Sequence, residues 1–211
     1  MIRVLIVDDH PIVRRGLKDI LRDERDFVVT ETADAQSARS LIEQQPFDLV
    51  VLDLDLPGVN GLELLNTIKR QHKQLRVLVL SIYPEEQFAV RVLKAGASGF
   101  ISKDAAPEQL VSTIRKILRG FKHVSERTAD LLVQSVSQGE AMHLHDKLSE
   151  REFQVLCLIG EGKPTKEIAN VLSLSAPTIS TYRARILDKL GMKTTAQLVR
   201  YAIQNGLAKP N

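Results

Sequence analysis

The 211-residue sequence contains no tryptophan and a single cysteine, and only 4% of its residues are aromatic. The lone Cys157 excludes an internal disulfide framework and a cysteine-rich metal site. The scarcity of aromatic rings argues against a protein that binds carbohydrates or aromatic ligands. No apolar run approaches the roughly 18 residues of a membrane span, and the opening MIRVLIVDD lacks the ordered regions of a signal peptide. We therefore expect a cytoplasmic protein with no membrane partner.

The net charge of +3 is unevenly distributed along the chain. Residues 1–120 carry 17 basic and 17 acidic side chains, and residues 121–147 have a net charge of −1. Residues 148–211 carry nine basic and five acidic side chains, which gives +4. A basic C-terminal third is expected of a segment that contacts nucleic acid, although an ordinary solvated basic face would have the same composition.

The first 120 residues alternate between strand and helix patterns. Short apolar runs, typical of strands buried on both faces, occur at 3–7, 48–53 and 76–81, with weaker candidates at 27–31 and 99–101. Helical patterns follow them near 11–22, 34–44, 61–72, 84–95 and 107–119. This alternation predicts an α/β domain built on a doubly wound, five-stranded parallel sheet with helices on both faces.

The remaining residues show helical patterns and no strand pattern. Residues 121–147 are predicted to form a linker with one short helix. From 148 onward, Ser149 and Glu152 form a capping box, and a short helix, a turn and a longer helix that stops at Gly191 follow. Two helices joined in this way can present a recognition helix to the major groove of DNA. We therefore predict a domain at 1–120, a linker at 121–147 and a small all-α helix-turn-helix domain at 148–211.

Polar and charged side chains stand at the ends of four predicted strands. Asp8 and Asp9 follow the first strand, Asp53 ends the third, Ser81 ends the fourth and Lys103 follows the fifth. Because parallel strands end at one edge of the sheet, these side chains are predicted to meet there. Crowded carboxylates suit a hard cation such as Mg²⁺, and a carboxylate beside a metal and an ammonium suits phosphoryl transfer. A single Asp after a strand would be an ordinary turn residue, so the signal is the complete set.

The segments VDDHPIVRRGL, LDLDLPGVNGLEL and GFISKDAAPEQL, with Ser81 at its strand end, resemble the receiver domain of bacterial response regulators. The resemblance implies a flavodoxin-like fold in which a sensor histidine kinase phosphorylates Asp53. It implies that Mg²⁺ is held by four oxygen donors, the side chains of Asp8, Asp9 and Asp53 and the backbone carbonyl of Asp55. It also implies that Ser81 and Lys103 contact the phosphoryl group and that Phe100 occupies the aromatic switch position.

The segment from LSEREFQVLC to LVRYAI resembles the LuxR-type helix-turn-helix domain, so the whole chain is similar to the NarL/FixJ-type regulators. Opposite the apolar stripe of the second helix, we expect Ser180, Thr181 and Ala184 to lie nearest to the base edges, with Thr178 at the margin. Three basic residues are predicted to contact phosphates, namely Lys166, Arg185 and Lys189. Because one such domain reads a single half-site, we expect a phosphorylated homodimer on double-stranded DNA with two half-sites.

Two other functions remain open at this point. The D-x-D motif of LDLDLP also occurs in aspartate-nucleophile phosphatases of the haloacid dehalogenase type, where it ends the first strand. Here an earlier strand supplies the Asp pair, and we expect a transcription factor and not an enzyme. A receiver could also act by binding a protein partner without phosphorylation, but the complete set of Asp8, Asp9, Asp53, Ser81 and Lys103 argues against this.

Overall fold

A computed structural model describes residues 1–56, 61–82, 85–137 and 144–208 of the chain. Its internal contacts divide the chain into two compact units, with the division between residues 139 and 140. Within these described ranges, no helix has both the length and the apolar character needed to cross a membrane.

The first unit alternates strands and helices. The strands are β1 (Ile2–Val7), β2 (Phe27–Thr32), β3 (Leu49–Asp53), β4 (Arg76–Ser81) and β5 (Gly99–Ser102). The helices are α1 (Pro11–Arg22), α2 (Ala35–Gln44), α3 (Gly61–Gln71), α4 (Glu85–Lys94), α5 (Ala106–Leu118) and α6 (Glu126–Ser137). All strand pairs are parallel, and the order across the sheet is β2-β1-β3-β4-β5. The predicted α/β fold with a five-stranded parallel sheet is confirmed.

The centre of the sheet is buried on both faces, which explains the continuous apolar runs in the sequence. Every residue of β3 is buried, as are the last four residues of β1 and the last five of β4. Val4, Val51 and Leu78 belong to one core cluster with Ile114 of α5. The strand order reverses between β1 and β3, so the crevice at their carboxyl ends is the expected ligand site.

A glycine fixes the path of the chain after β3. The N–H of Gly61 donates to the carbonyl of Leu54 over 3.1 Å, and a Cβ at Gly61 would lie 2.5 Å from the Leu54 Cα. A side chain at this position would therefore push the backbone away from the end of β3, where Asp53 lies.

The described residues of the second unit form helices joined by turns, with no strand among them. A short 3-10 helix (Leu144–Lys147) precedes α7 (Glu150–Gly160), α8 (Thr165–Val171), α9 (Ala176–Leu190) and α10 (Thr195–Gln204). The predicted capping box of Ser149 and Glu152 has both of its hydrogen bonds. α9 ends at Gly191, whose φ of 66° is in the left-handed region that favours glycine. The predicted all-α domain that contains a helix-turn-helix is confirmed.

Candidate functional site

The carboxyl edge of the sheet brings together the side chains that end β1, β3 and β4. Asp8 and Asp53 are each 1% exposed, and Ser81 is fully buried. The ammonium of Lys103, which follows β5, lies 2.6 Å from Asp53 Oδ2 and 2.8 Å from Asp8 Oδ2. The backbone N–H of Lys103 donates to the Ser81 carbonyl over 2.8 Å, so β4 and β5 are also joined at this edge. One ammonium therefore links two buried carboxylates.

The protonation of this cluster is set by burial and by the neighbouring charges. Burial raises the pKa of Asp53 from 3.8 to about 6, with a further increase from Asp8, although Lys103 acts in the opposite direction. Burial alone would lower the pKa of Lys103, but the Asp53 and Asp8 carboxylates outweigh it and raise this pKa above its ordinary value. At neutral pH, Asp53 is thus mainly ionised and Lys103 is charged.

The acidic residues at this edge fit a divalent cation. Asp8, Asp9, His10 and Asp53 each offer one ligand atom, and these four atoms all lie within 4.8 Å of one another. A single ammonium does not balance the three carboxylates, two of which are almost completely buried. Mg²⁺ prefers a few carboxylate oxygens supplemented by water and phosphate oxygens, so this donor set suits it. The N–H of Asp55 donates to Asp53 Oδ1 over 3.1 Å and helps to orient that carboxylate.

Contacts from the start of α1 hold the Asp8–Asp9 turn, and sequence reasoning missed them. Arg14 Nη1 donates to the Asp8 carbonyl over 2.7 Å, and the His10 N–H donates to Asp8 Oδ1 over 2.7 Å. The imidazole Nδ1 of His10 lies 2.7 Å from Asp9 Oδ1. The sequence carries one signal for these contacts, since α1 begins at Pro11, two residues after the acid pair.

Phe100, the predicted switch residue, lies inside the fold. It is 1% exposed, and it pairs with Val79 across β4 and β5. Its backbone N–H donates to the carbonyl of His123 over 3.2 Å. The ring is therefore already buried, and a change at this position involves repacking of the core.

The helix-turn-helix of the second unit presents a polar face. The turn between α8 and α9 contains Ser173 with a φ of 52°, and Pro177 lies in the first turn of α9, where its missing N–H breaks no helical hydrogen bond. The buried residues of α9 are Ile179, Ile186 and Leu190, and they form the apolar stripe of this helix. The exposed residues include Ser180, Thr181, Ala184, Arg185 and Lys189, and Lys166 is exposed at the start of α8.

Several hydroxyl groups of α9 already take part in hydrogen bonds. The hydroxyls of Ser180 and Thr181 each donate over 3.1 Å to the backbone carbonyl four residues earlier. In this state they offer only acceptor lone pairs to a ligand. The Thr178 hydroxyl lies 2.7 Å from that of Ser175, the residue that caps the helix. Thr178 thus has a helix-capping contact in addition to its predicted place beside DNA.

Lys189 has a partner within the second unit. Its ammonium lies 2.7 Å from Glu152 Oε2, and Glu152 is only 3% exposed. Burial opposes ionisation of Glu152, but hydrogen bonds from Lys189 and Ser149 hold its pKa below the ordinary value. This ion pair connects the C-terminal turn of α9 to the first turn of α7.

Two protein-family models match the chain, one for each unit. Residues 4–115 match the response regulator receiver domain, and residues 146–202 match the bacterial regulatory proteins of the luxR family. Response regulator UvrY of Escherichia coli strain K12 is 34% identical over 209 residues, which cover 98% of this chain and 96% of UvrY.

Solved structures of RcsB are similar over almost the whole chain. RcsB from Salmonella enterica serovar Typhimurium, bound to promoter rprA in the presence of the phosphomimetic BeF3−, has a TM-score of 0.59 and 28% identity. That likeness covers 95% of this chain and 98% of the RcsB chain. A structure of two RcsB dimers bound to two parallel DNAs also has a TM-score of 0.59 and 28% identity. That likeness covers 95% of this chain and 97% of the RcsB chain.

Proposed function

The chain belongs to the response regulators that join a receiver domain to a LuxR-type DNA-binding domain, and from this premise we propose that phosphorylation of Asp53 controls how it binds DNA. The observation that carries the proposal is the ammonium of Lys103, which lies 2.6 Å from the Asp53 carboxylate at the edge where Asp8 and Asp9 also lie. Since the family acts in transcription, the phosphorylated chain is a regulator of gene expression.

In the proposed reaction, an ionised Asp53 oxygen attacks the phosphorus of the donor. The new bond joins Asp53 to phosphorus, and the bond between phosphorus and the donor breaks with its electron pair left on the donor. Lys103 then places its positive charge beside the phosphoryl oxygens, and the Ser81 hydroxyl contacts them. Mg²⁺, when it is held by Asp8, Asp9, Asp53 and the Asp55 carbonyl, supplies further neutralisation of these oxygens.

The donor of the phosphoryl group and the cellular location of the protein are part of the same proposal. A sensor histidine kinase supplies the phosphoryl group, because the receiver family takes its phosphoryl group from such kinases. We place the protein in the cytoplasm, where both the kinase domain and DNA are accessible. We assign no separate phosphatase activity to the D-x-D motif, because the Asp55 N–H supports Asp53 and the nucleophile ends the third strand, not the first.

On DNA, α9 is proposed to enter the major groove. Ser180, Thr181 and Ala184 face the bases, and Thr178 lies near the groove edge. Three cations contact phosphates, namely Lys166, Arg185 and Lys189. The Lys189 ammonium has three N–H donors, so it can contact a phosphate and keep its hydrogen bond to Glu152. A homodimer on two half-sites is proposed for the phosphorylated state, and the RcsB dimers on DNA support it.

Intact-mass measurement tests the phosphoryl acceptor. The protein is incubated with Mg²⁺ and acetyl phosphate, and we expect the mass to increase by one phosphoryl group. The Asp53→Asn variant should not gain mass, whereas Asp55→Asn should, because its backbone carbonyl is retained. Mass gain by Asp53→Asn would contradict the assignment.

A further inference from the structure

Residues after α5 add a short parallel segment to the open edge of β5. His123 pairs with Gly99, the His123 N–H donates to the Ser98 carbonyl over 3.0 Å, and the Phe100 N–H donates to the His123 carbonyl over 3.2 Å. A Cβ at Gly99 would lie 3.0 Å from both the Cβ and the carbonyl oxygen of His123. The segment therefore lies directly against the backbone of Phe100.

A second contact fixes the start of α6. The carboxylate of Glu85, the first residue of α4, accepts a hydrogen bond from the Ser125 N–H over 2.8 Å. The Ser125 hydroxyl in turn accepts from the Thr128 N–H over 3.2 Å, and α6 packs on α4. We call the two contacts, Phe100 with His123 and Glu85 with Ser125, the clamp.

We propose that residues 121–137 are an output element of the receiver, which the clamp holds in the unphosphorylated state and which phosphorylation of Asp53 releases. This proposal rests on the proposed function, since it takes Asp53 as the phosphoryl acceptor. It names the segment that responds to phosphorylation, and it assigns a coupling role to Glu85 and His123.

The two clamp contacts are attached to the phosphoryl site through short pieces of backbone. Phe100 lies three residues before Lys103, and Glu85 lies four residues after Ser81. A phosphoryl group adds a charge of about −1.5 to −2 where Lys103 now joins Asp53 and Asp8. Lys103 and Ser81 must then rearrange around the new oxygens, so β5 and the start of α4 shift together and both contacts weaken.

Release of α6 affects the DNA-binding unit through the chain that connects them. Six residues, 138–143, separate the end of α6 from the 3-10 helix, which is the first described element of that unit. Undocking of α6 adds the 12 residues of the helix to the chain that connects the two units. Two DNA-binding domains can then reach adjacent half-sites more freely.

Hydrogen exchange measured by mass spectrometry on the full chain tests the proposal. With Mg²⁺ and acetyl phosphate, amides 129–137 should exchange about tenfold faster, as expected when a hydrogen bond to a charged group is lost. Peptides from β1 and β3 should not change. The Asp53→Asn variant should show no acceleration under the same conditions.

Two substitutions should release α6 without phosphorylation. Glu85→Ala removes the acceptor of the Ser125 N–H, and the matched control is Glu108→Ala, which changes an exposed glutamate on α5. Gly99→Ala pushes a methyl group against His123, and its control is Gly16→Ala, where a Cβ would meet no atom within 4 Å. Both test variants should speed exchange of amides 129–137, and neither control should.

The intact mass of each sample shows which of the two proposals fails, the release of α6 or the proposed function. If the wild-type protein gains one phosphoryl group but amides 129–137 exchange at the same rate or more slowly, the release of α6 is overturned and the proposed function stands. If the protein gains no phosphoryl group, the proposed function fails and the release proposal fails with it. Unchanged exchange in both Glu85→Ala and Gly99→Ala would also overturn the clamp.

Discussion

Replacing Asp53 with Asn removes one negative charge from a buried site where two carboxylates share one ammonium and the carboxylate of Asp9 lies nearby. Burial raises the pKa of Asp53 from 3.8 to about 6. Since each pKa unit corresponds to about 1.4 kcal/mol, ionised Asp53 costs the folded state roughly 3 kcal/mol at neutral pH. Asn does not titrate, but Lys103 loses a partner, so we expect Asp53→Asn to be more stable by about 1–3 kcal/mol near neutral pH.

The dependence on pH has a definite sign. A carboxyl whose pKa is raised on folding contributes its full stabilisation at pH values below 3.8, its pKa in the unfolded chain. This contribution is lost as the pH rises through about 6, its pKa in the folded protein. The wild-type protein should therefore lose stability relative to Asp53→Asn between about pH 4 and pH 6, and the difference should be smallest at the acidic end. Mg²⁺ should narrow the difference at neutral pH, because it binds the folded wild-type site.

These differences in unfolding free energy are measured by urea unfolding in EDTA and in Mg²⁺. Hydrogen exchange of β1 and β3 peptides serves as the probe, so that the receiver unit alone is monitored. Asp19→Asn is the matched control, because the Asp19 side chain is 61% exposed on α1. It should change stability by no more than about 0.5 kcal/mol. Lower stability of Asp53→Asn at neutral pH without metal would refute the reasoning, as would a difference that does not shrink in acid.

Three further predictions concern the second unit. Lys189→Ala should lower its unfolding free energy by about 1–2 kcal/mol, measured by exchange of α7 amides, because Glu152 is left buried without its cation. Arg185→Ala should leave that stability unchanged. When the logarithm of the affinity for duplex DNA is plotted against the logarithm of the salt concentration, the slope should become shallower by about one. Gly160→Ala should destabilise the unit by about 1–3 kcal/mol in the same exchange assay, because its methyl group would lie 2.6 Å from the Ala202 Cβ.

The sequence predicted those features that depend on local patterns. Each strand lies within about one residue of its apolar run. For β3 the sequence predicts 48–53, and the strand spans Leu49–Asp53. The meeting of Asp8, Asp53 and Lys103 could be predicted because parallel strands fix which residues end at one edge. The capping box of Ser149 depends on a spacing of three residues and was equally visible.

Contacts that depend on how helices pack were not visible in the sequence. The pattern indicated a short helix after Ser125, but nothing in it specified that Glu85, 40 residues earlier, would bind the Ser125 N–H. The sequence assigns Lys189 to DNA because it is basic. Its distance from Glu152 depends on how α9 crosses α7, which a local pattern does not specify. The DNA contacts proposed for α9 and for Lys166 stay predictions.

The central claim, that phosphorylation of Asp53 raises DNA affinity, is tested most directly by one binding measurement. Duplexes are selected from a random pool with the phosphorylated full-length protein, and their affinity is measured by fluorescence anisotropy with and without acetyl phosphate and Mg²⁺. Coupling of about 1–3 kcal/mol predicts a roughly 5- to 150-fold increase in affinity for the wild-type protein and none for Asp53→Asn. Equal affinity of the wild-type protein in both states, with the phosphoryl group present by mass, would contradict the claim.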